Sequence, residues 1–145
     1  MSPILLVRHA RAGDRTEWSG DDRLRPLDGK GRRQATALVD TLAPYGVERI
    51  LSSPYLRCVQ TVEPLAAATG VEIEEREQLA EGATWEEIAS VVGEAAAATT
   101  VLCTHGDVVI ALVGPERPVK KGSTWVLELD RGGVEPVEYL QPPGR

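Results

Sequence analysis

The sequence predicts a three-layer α/β/α sandwich around a mainly parallel, mixed sheet. Three observations carry that expectation. Two short apolar runs, residues 3–7 (PILLV) and 99–104 (TTVLCT), have the composition of strands buried on both faces. Helical stretches with start and stop signals lie between the strand candidates, the order that builds a parallel sheet. Residues 123–140 read instead as an antiparallel pair, which makes the sheet mixed.

In chain order, Pro3–Val7 is the first strand. Residues 10–28 are rich in Arg, Asp and Gly and have no hydrophobic period, so they form a long loop, and such loops in compact domains usually carry function or move. A helix follows over Gly29–Ala43: Asp28 caps it, Ala35, Leu38 and Leu42 make its apolar stripe, and Pro44 and Gly46 stop it. Val47–Ser52 is the second strand. Ser53 as N-cap and Pro54 at the first helical position open the next helix, which Gly70 ends and which Pro64 should bend or shorten. Val71–Glu75 alternates like a short exposed strand, and 76–83 is a loop. Thr84 caps a helix over Trp85–Ala98. After the strand at Thr99–Thr104 come a short helix, Asp107–Val113, and a hairpin of Ser123–Asp130 and Val134–Leu140 joined at Arg131-Gly132-Gly133. Trp85 and Trp125 are expected in or near the core, and Trp18 in the long loop is a candidate for the mouth of a site.

At 145 residues the chain has the length of one domain, 1–145, and its 42% apolar content supplies an ordinary core. No apolar run is long enough to cross a membrane, and residues 3–7 are too short for a signal peptide, so a soluble cytoplasmic protein is expected. Cys58 and Cys103 are too few for a disulfide framework and are expected as free buried thiols. A net charge of −6 argues against nucleic acid as a partner. The charge is uneven: residues 1–33 hold eight Lys or Arg against five acids, and the remainder holds eight against seventeen. Such a segment can focus an anion, although composition alone slightly favours a merely solvated basic face.

The two histidines have matching settings. His9 follows ILLV-Arg8 and His105 follows TVLC-Thr104, so each stands just past the end of a buried strand. That edge is where α/β sheets bind ligands. One such histidine is slightly better explained by a structural hydrogen bond; two, with none elsewhere, favour function. Arg57 lies in the first turn of its helix, where the dipole disfavours a cation. Alone it reads as an arginine reaching for water. Beside a helix N-terminus it makes a strong phosphate site, and Arg8 adds a second guanidinium at the same edge. These residue types suit phosphoryl transfer. Arginine forks stabilise the charge spread over the transferring oxygens, and a neutral imidazole can attack phosphorus.

Leu6-Val7-Arg8-His9-Ala10 resembles the RHG signature of the histidine phosphatase superfamily, the phosphoglycerate mutase-like family. Arg25-Pro26-Leu27-Asp28 with Gly31 and Gln34-Ala35 resembles the family's next segment. Ser52-Ser53-Pro54-Tyr55-Leu56-Arg57-Cys58-Val59-Gln60-Thr61 is similar to its SSP-x-x-R-x-x-Q-T segment, and Thr104-His105-Gly106 to its second-histidine motif. These matches stand in the family's order from Val7 to Gly106. The absence of long insertions resembles the short SixA-type phosphohistidine phosphatases. Ser19-Gly20-Asp21-Asp22 before Arg25 resembles the phosphatase domain fused to some actinobacterial Nudix hydrolases.

The resemblance implies the phosphoglycerate mutase-like fold and a metal-independent, cofactor-free phosphatase. It implies His9 as nucleophile, Arg8, Arg57 and His105 as phosphate ligands, and Glu81 in Leu79-Ala80-Glu81-Gly82 as proton donor, with Glu74, Glu75 and Glu77 close by in sequence. The substrate it implies is a phosphohistidine protein or another accessible phosphate monoester. A nucleotide or small-metabolite phosphatase is the alternative, a mutase is less favoured without a lid, and an idle phosphate-binding module is the remaining reading. Two residues depart from the pattern. Ala10 stands where glycine is common, and Asp107 follows His105-Gly106, where a helix cap is the simpler reading. Nothing has paired metal-ligand spacing, Gly29-Lys30-Gly31 lacks the P-loop pattern, and Lys120-Lys121 reads as surface.

Overall fold

The computed structural model describes residues 2–130 and 132–144. Strands β1 (Ile4–Arg8), β2 (Arg49–Ser52), β3 (Ile73–Glu75), β4 (Thr100–Thr104), β5 (Thr124–Asp130) and β6 (Gly133–Leu140) form one sheet in the order β3-β2-β4-β1-β5-β6. The first four pair in parallel and the last two antiparallel, so the sheet is mixed as the sequence predicts. Four helices flank it: α1 (Gly29–Leu42), α2 (Leu56–Thr69), α3 (Trp85–Ala95) and α4 (Gly106–Val113).

Side-chain alternation divides the core into two layers. Leu5, Val7, Ile50, Val101 and Cys103 pack with Leu38 and Leu42 of α1 and Val62 and Leu65 of α2. Ile4, Leu6, Leu51 and Leu102 pack with Ile88 and Val92 of α3 and Val109 and Val113 of α4. The central strands are therefore buried on both faces, which is why they read as unbroken apolar runs. Each fully buried Leu, Ile or Val side chain contributes about 1.5–3 kcal/mol. Cys58 and Cys103 are free and buried, as expected.

Several expectations need correction. Ser53 is not a helix cap: α2 begins at Leu56, its N-cap is Tyr55, and no side chain caps it. The Ser53 hydroxyl pairs with His105 instead. Pro64 does not shorten α2, whose packed residues lie on both sides of it. The third helix ends at Ala95 rather than Ala98. Trp85 is 58% exposed, because the stripe that faces the core starts one turn later at Ile88; Trp125 is buried as expected. Residues 10–28 contain two single-turn 3₁₀ helices, Arg15–Glu17 and Asp22–Leu24, capped by Asp14 and Asp21. Arg131 in the hairpin connection lies outside the described residues.

The base of that long loop is clamped to α1. Arg11 N–H donates to Gln34 Oε1 at 3.0 Å, and the Arg11 carbonyl accepts from Asp28 N–H at 3.1 Å. Gly31 makes this approach possible, since a Cβ there would lie 1.8 Å from the Arg11 carbonyl oxygen. Gly31→Ala is therefore expected to destabilise by about 1–3 kcal/mol or more, the usual range for overpacking. A thermal or denaturant melt checks it, and a midpoint equal to wild type would show that the loop yields freely.

Candidate active site

His9 and His105 leave the C-terminal ends of adjacent strands, and the register sets Arg8 opposite Thr104. Pairing of β1 with β4 thus brings the two imidazoles together, with ring centroids 5.4 Å apart. His9 N–H donates to the Thr104 carbonyl at 3.0 Å and locks this arrangement.

The His9 ring has one hydrogen bond, from Nδ1 to the Ala10 carbonyl at 2.8 Å. A carbonyl only accepts, so the proton is on Nδ1 and Nε2 keeps its lone pair. Burial pushes the His9 pKa down to about 3, outweighing the Ala10 hydrogen bond, which favours the protonated ring; His105, Arg57 and Arg8 lower it further. The ring is neutral at neutral pH, the form that attacks phosphorus. Ala10 has no positive φ, so it stands in the common glycine position without strain. Its N–H donates to Thr61 Oγ1 at 2.9 Å, and that hydroxyl donates to the Arg57 carbonyl at 2.7 Å, tying the His9 segment to α2.

Arg8 lies flat against Gly106, where a Cβ would come within 2.9 Å of the guanidinium carbon. The glycine after His105 is thus a seat for Arg8. Arg8 NH1 donates to the Val119 carbonyl at 2.7 Å, and Nε is buried with no partner. His105 Nε2 is 2.9 Å from Ser53 Oγ, which accepts the Tyr55 N–H at 3.3 Å. The hydroxyl can then donate to Nε2, which leaves the His105 proton on Nδ1. Nδ1 is buried without a hydrogen-bond partner and faces Glu81 Oε2 at 3.7 Å.

Arg57 is fully buried and does not line the open cleft; it stands behind it. It donates from NH1 to the Asp22 carbonyl at 2.8 Å and from NH2 to Asp22 Oδ2 at 3.0 Å and Glu81 Oε2 at 3.3 Å. Its Nε has no partner. Glu81 also pairs with Arg15 at 2.9 Å. Its loop is fixed by Asp107, whose Oδ2 accepts the Gly82 N–H at 2.8 Å. Asp107 is therefore not a helix cap, since His105 holds that position in α4. Glu74 lies in an ion network with Arg49 and Arg76, and Glu77 pairs with Arg23, so of the four glutamates only Glu81 reaches the histidines.

The cleft holding His9, His105, Arg8 and Glu81 has a volume of about 1070 Å³. Residues 4–98 match the model of the histidine phosphatase superfamily, branch 1. The chain belongs to that superfamily. An 8-oxo-(d)GTP phosphatase of Mycolicibacterium smegmatis is 37% identical over an alignment of 157 positions, covering 97% of this chain and 48% of that protein. The chain thus spans about half the length of this curated relative. In solved structures, the fold is that of the protein histidine phosphatase SixA bound to tungstate, at a TM-score of 0.80, with 20% identity and 97% of each chain covered. A SixA protein of Nakamurella multipartitia, provisionally named a phosphohistidine phosphatase, aligns at a TM-score of 0.75 with 28% identity, covering 97% of this chain and 96% of that one.

The sequence alone left several cleft residues unassigned. Arg11, Arg15, Arg25 and Lys121 line it; Lys120 and Lys121 are both exposed, as the sequence suggests, and Lys121 also faces the cleft. The basic excess of residues 1–33 was the signal for the three arginines. Nothing local in Lys120-Lys121 marked the lysine; β5 pairing beside β1 brings it there. Trp18 is not among the lining residues and donates its indole N–H to the Asp21 carbonyl instead.

Arg57→Ala is expected to weaken vanadate binding by about 10²–10³-fold, the usual effect of removing one charge-assisted oxyanion donor. Competitive inhibition by vanadate measures it. Unchanged affinity would place Arg57 outside phosphate binding and leave it as a support for Asp22 and Glu81.

Proposed function

We propose that this chain is a phosphatase that works through a covalent phosphohistidine on His9. One observation carries the reading. Among the described residues, four buried side-chain polar atoms lack partners, and three of them are Arg8 Nε, Arg57 Nε and His105 Nδ1. All three belong to cationic or N–H donors grouped around a neutral histidine, and phosphate oxygens would satisfy them. His9 Nε2 attacks phosphorus, Glu81 protonates the leaving oxygen, and water then attacks the phosphohistidine. Arg8 and His105 hold the equatorial oxygens from the cleft wall and the unpartnered Arg57 Nε from behind it, so side-chain charge supplies the electrostatics and activity is expected to persist in a strong chelator.

The substrate class has two readings. Likeness of fold to SixA supports a phosphohistidine protein. Identity to the 8-oxo-(d)GTP phosphatase along nearly the whole chain supports a nucleotide. A panel of phosphohistidine protein, nucleotides, sugar phosphates and an aryl phosphate, each with a His9→Ala control, separates them. Turnover of none of these would favour an idle phosphate-binding module.

A further inference from the structure

Besides the donors that suit the transferred phosphate, the cleft is lined by Arg11, Arg25 and Lys121; Arg11 pairs with Asp28 and Arg25 with Asp22. In the sheet, β1 lies between β4 and β5. His105 and the Glu81 loop stand on the β4 side of His9. Lys121 stands on the β5 side, in the loop that leads into β5. Its backbone is fixed there: Gly122 N–H donates to the Arg8 and His9 carbonyls, both at 3.0 Å, and Gln34 Nε2 donates to the Lys121 carbonyl at 3.4 Å.

Lys121 forms no ion pair with any described residue; the charges around it are Arg8, Arg11 and Arg25 with one carboxylate, Asp28. Partial desolvation against the cleft wall lowers its pKa and the three arginines lower it further, while Asp28 raises it. Arg25 is 6% exposed and rigidly held, by Asp22 Oδ1 at 2.9 Å and the Ala12 carbonyl at 2.6 Å. A fixed buried guanidinium and an unpaired ammonium on the wall of one cleft repel each other. Asp22 offsets the Arg25 charge, but no carboxylate pairs with Lys121, so an anion between the two gains a free charged donor. The cleft is also far larger than one phosphate requires.

We propose that Lys121 and Arg25, with Arg11 at the rim, form a second anion subsite that holds the penultimate phosphate of a diphosphate-bearing substrate. This rests on the proposed chemistry at His9. His9 Nε2 forms a bond to the terminal phosphorus, and the bond from that phosphorus to the bridging oxygen breaks. The electron pair leaves on the bridging oxygen, which stays on the monophosphate product. A phosphate leaving group is a much weaker base than an alkoxide, so its added negative charge is taken up by Lys121 and Arg25 and needs no proton from Glu81. Water then attacks the phosphohistidine, the P–N bond breaks, and orthophosphate and the neutral imidazole are released.

Lys121→Gln is a mild change at an exposed position, so folding is expected to persist. Two measurements test the subsite. In turnover, kcat/KM for ADP is expected to fall at least tenfold, while that for an aryl monophosphate changes less than threefold. In calorimetry, wild type is expected to bind methylenediphosphonate at least tenfold more tightly than methylphosphonate, and Lys121→Gln to lose most of that preference. Equal losses on both substrates, or no loss on either, would overturn the subsite. If wild type turns over neither of these nor a phosphohistidine protein or sugar phosphate, the phosphatase reading fails; whenever ADP and aryl phosphate are both inert, the calorimetric preference decides the subsite.

Discussion

His9→Ala is expected to reduce turnover of every substrate by on the order of 10⁴-fold or more, the scale seen when a covalent nucleophile is removed. The fold should survive. The one side-chain hydrogen bond lost is to the adjacent Ala10 carbonyl, and the backbone bond from residue 9 to Thr104 remains. The variant should also differ in its response to acid. The folded His9 pKa of about 3 lies below its ordinary value of 6.5. Between those limits the unfolded chain binds a proton that the folded chain refuses, so wild-type stability falls as pH drops through that window. His9→Ala lacks this drain and should lose less stability on going from pH 7 to about pH 4.5. Parallel losses in thermal melts would mean that the imidazole is not held neutral.

The second large effect concerns Glu81. Glu81→Gln keeps the shape and removes the proton. An alkoxide leaving group needs protonation during cleavage, and a carboxylic acid supplies about 10²–10⁴-fold there. Imidazole leaves with far less help, and an aryl oxide lies between the two. The expected losses are therefore steep on alkyl and sugar phosphates, smaller on aryl phosphate and smallest on phosphohistidine. Single-turnover phosphorylation of the enzyme reads this, because the later hydrolysis cannot mask it. Equal losses across the leaving groups would make Glu81 a positioning residue, consistent with its contacts to Arg15 and Arg57. Asp107, which holds the Glu81 loop through Gly82, would then be the next acid to test.

The strands that carry the histidines were legible because burial on both faces leaves an unbroken apolar signal. Helix starts at Asp28 and Thr84 were legible because their side chains accept backbone N–H groups of their own first turns, from Gly31 and Glu87. Ser53 carries the same local signal and misleads, because a tertiary partner, His105, competes for its hydroxyl. Asp107 misleads for the same reason, its carboxylate going to Gly82 instead of its own helix. The residues of the site that local sequence marks, His9, His105 and Arg8, are those fixed by strand ends. Arg57 was assigned, but not its burial behind Asp22, which depends on the 3₁₀ turn at Asp22–Leu24 folding over α2. Lys121 is far from His9 in sequence, and only the antiparallel pairing of β5 with β1 brings its loop to the site.

The central claim is that the phosphoryl group passes through His9. Rapid mixing of the enzyme with a ³²P-labelled substrate, followed by quenching at neutral or alkaline pH and peptide mapping, tests it most directly. The account expects transient label on the peptide containing His9, lost on acid treatment as phosphohistidine is, and absent from His9→Ala. Acid-stable label on a serine, or label on a cysteine such as Cys58, would contradict it.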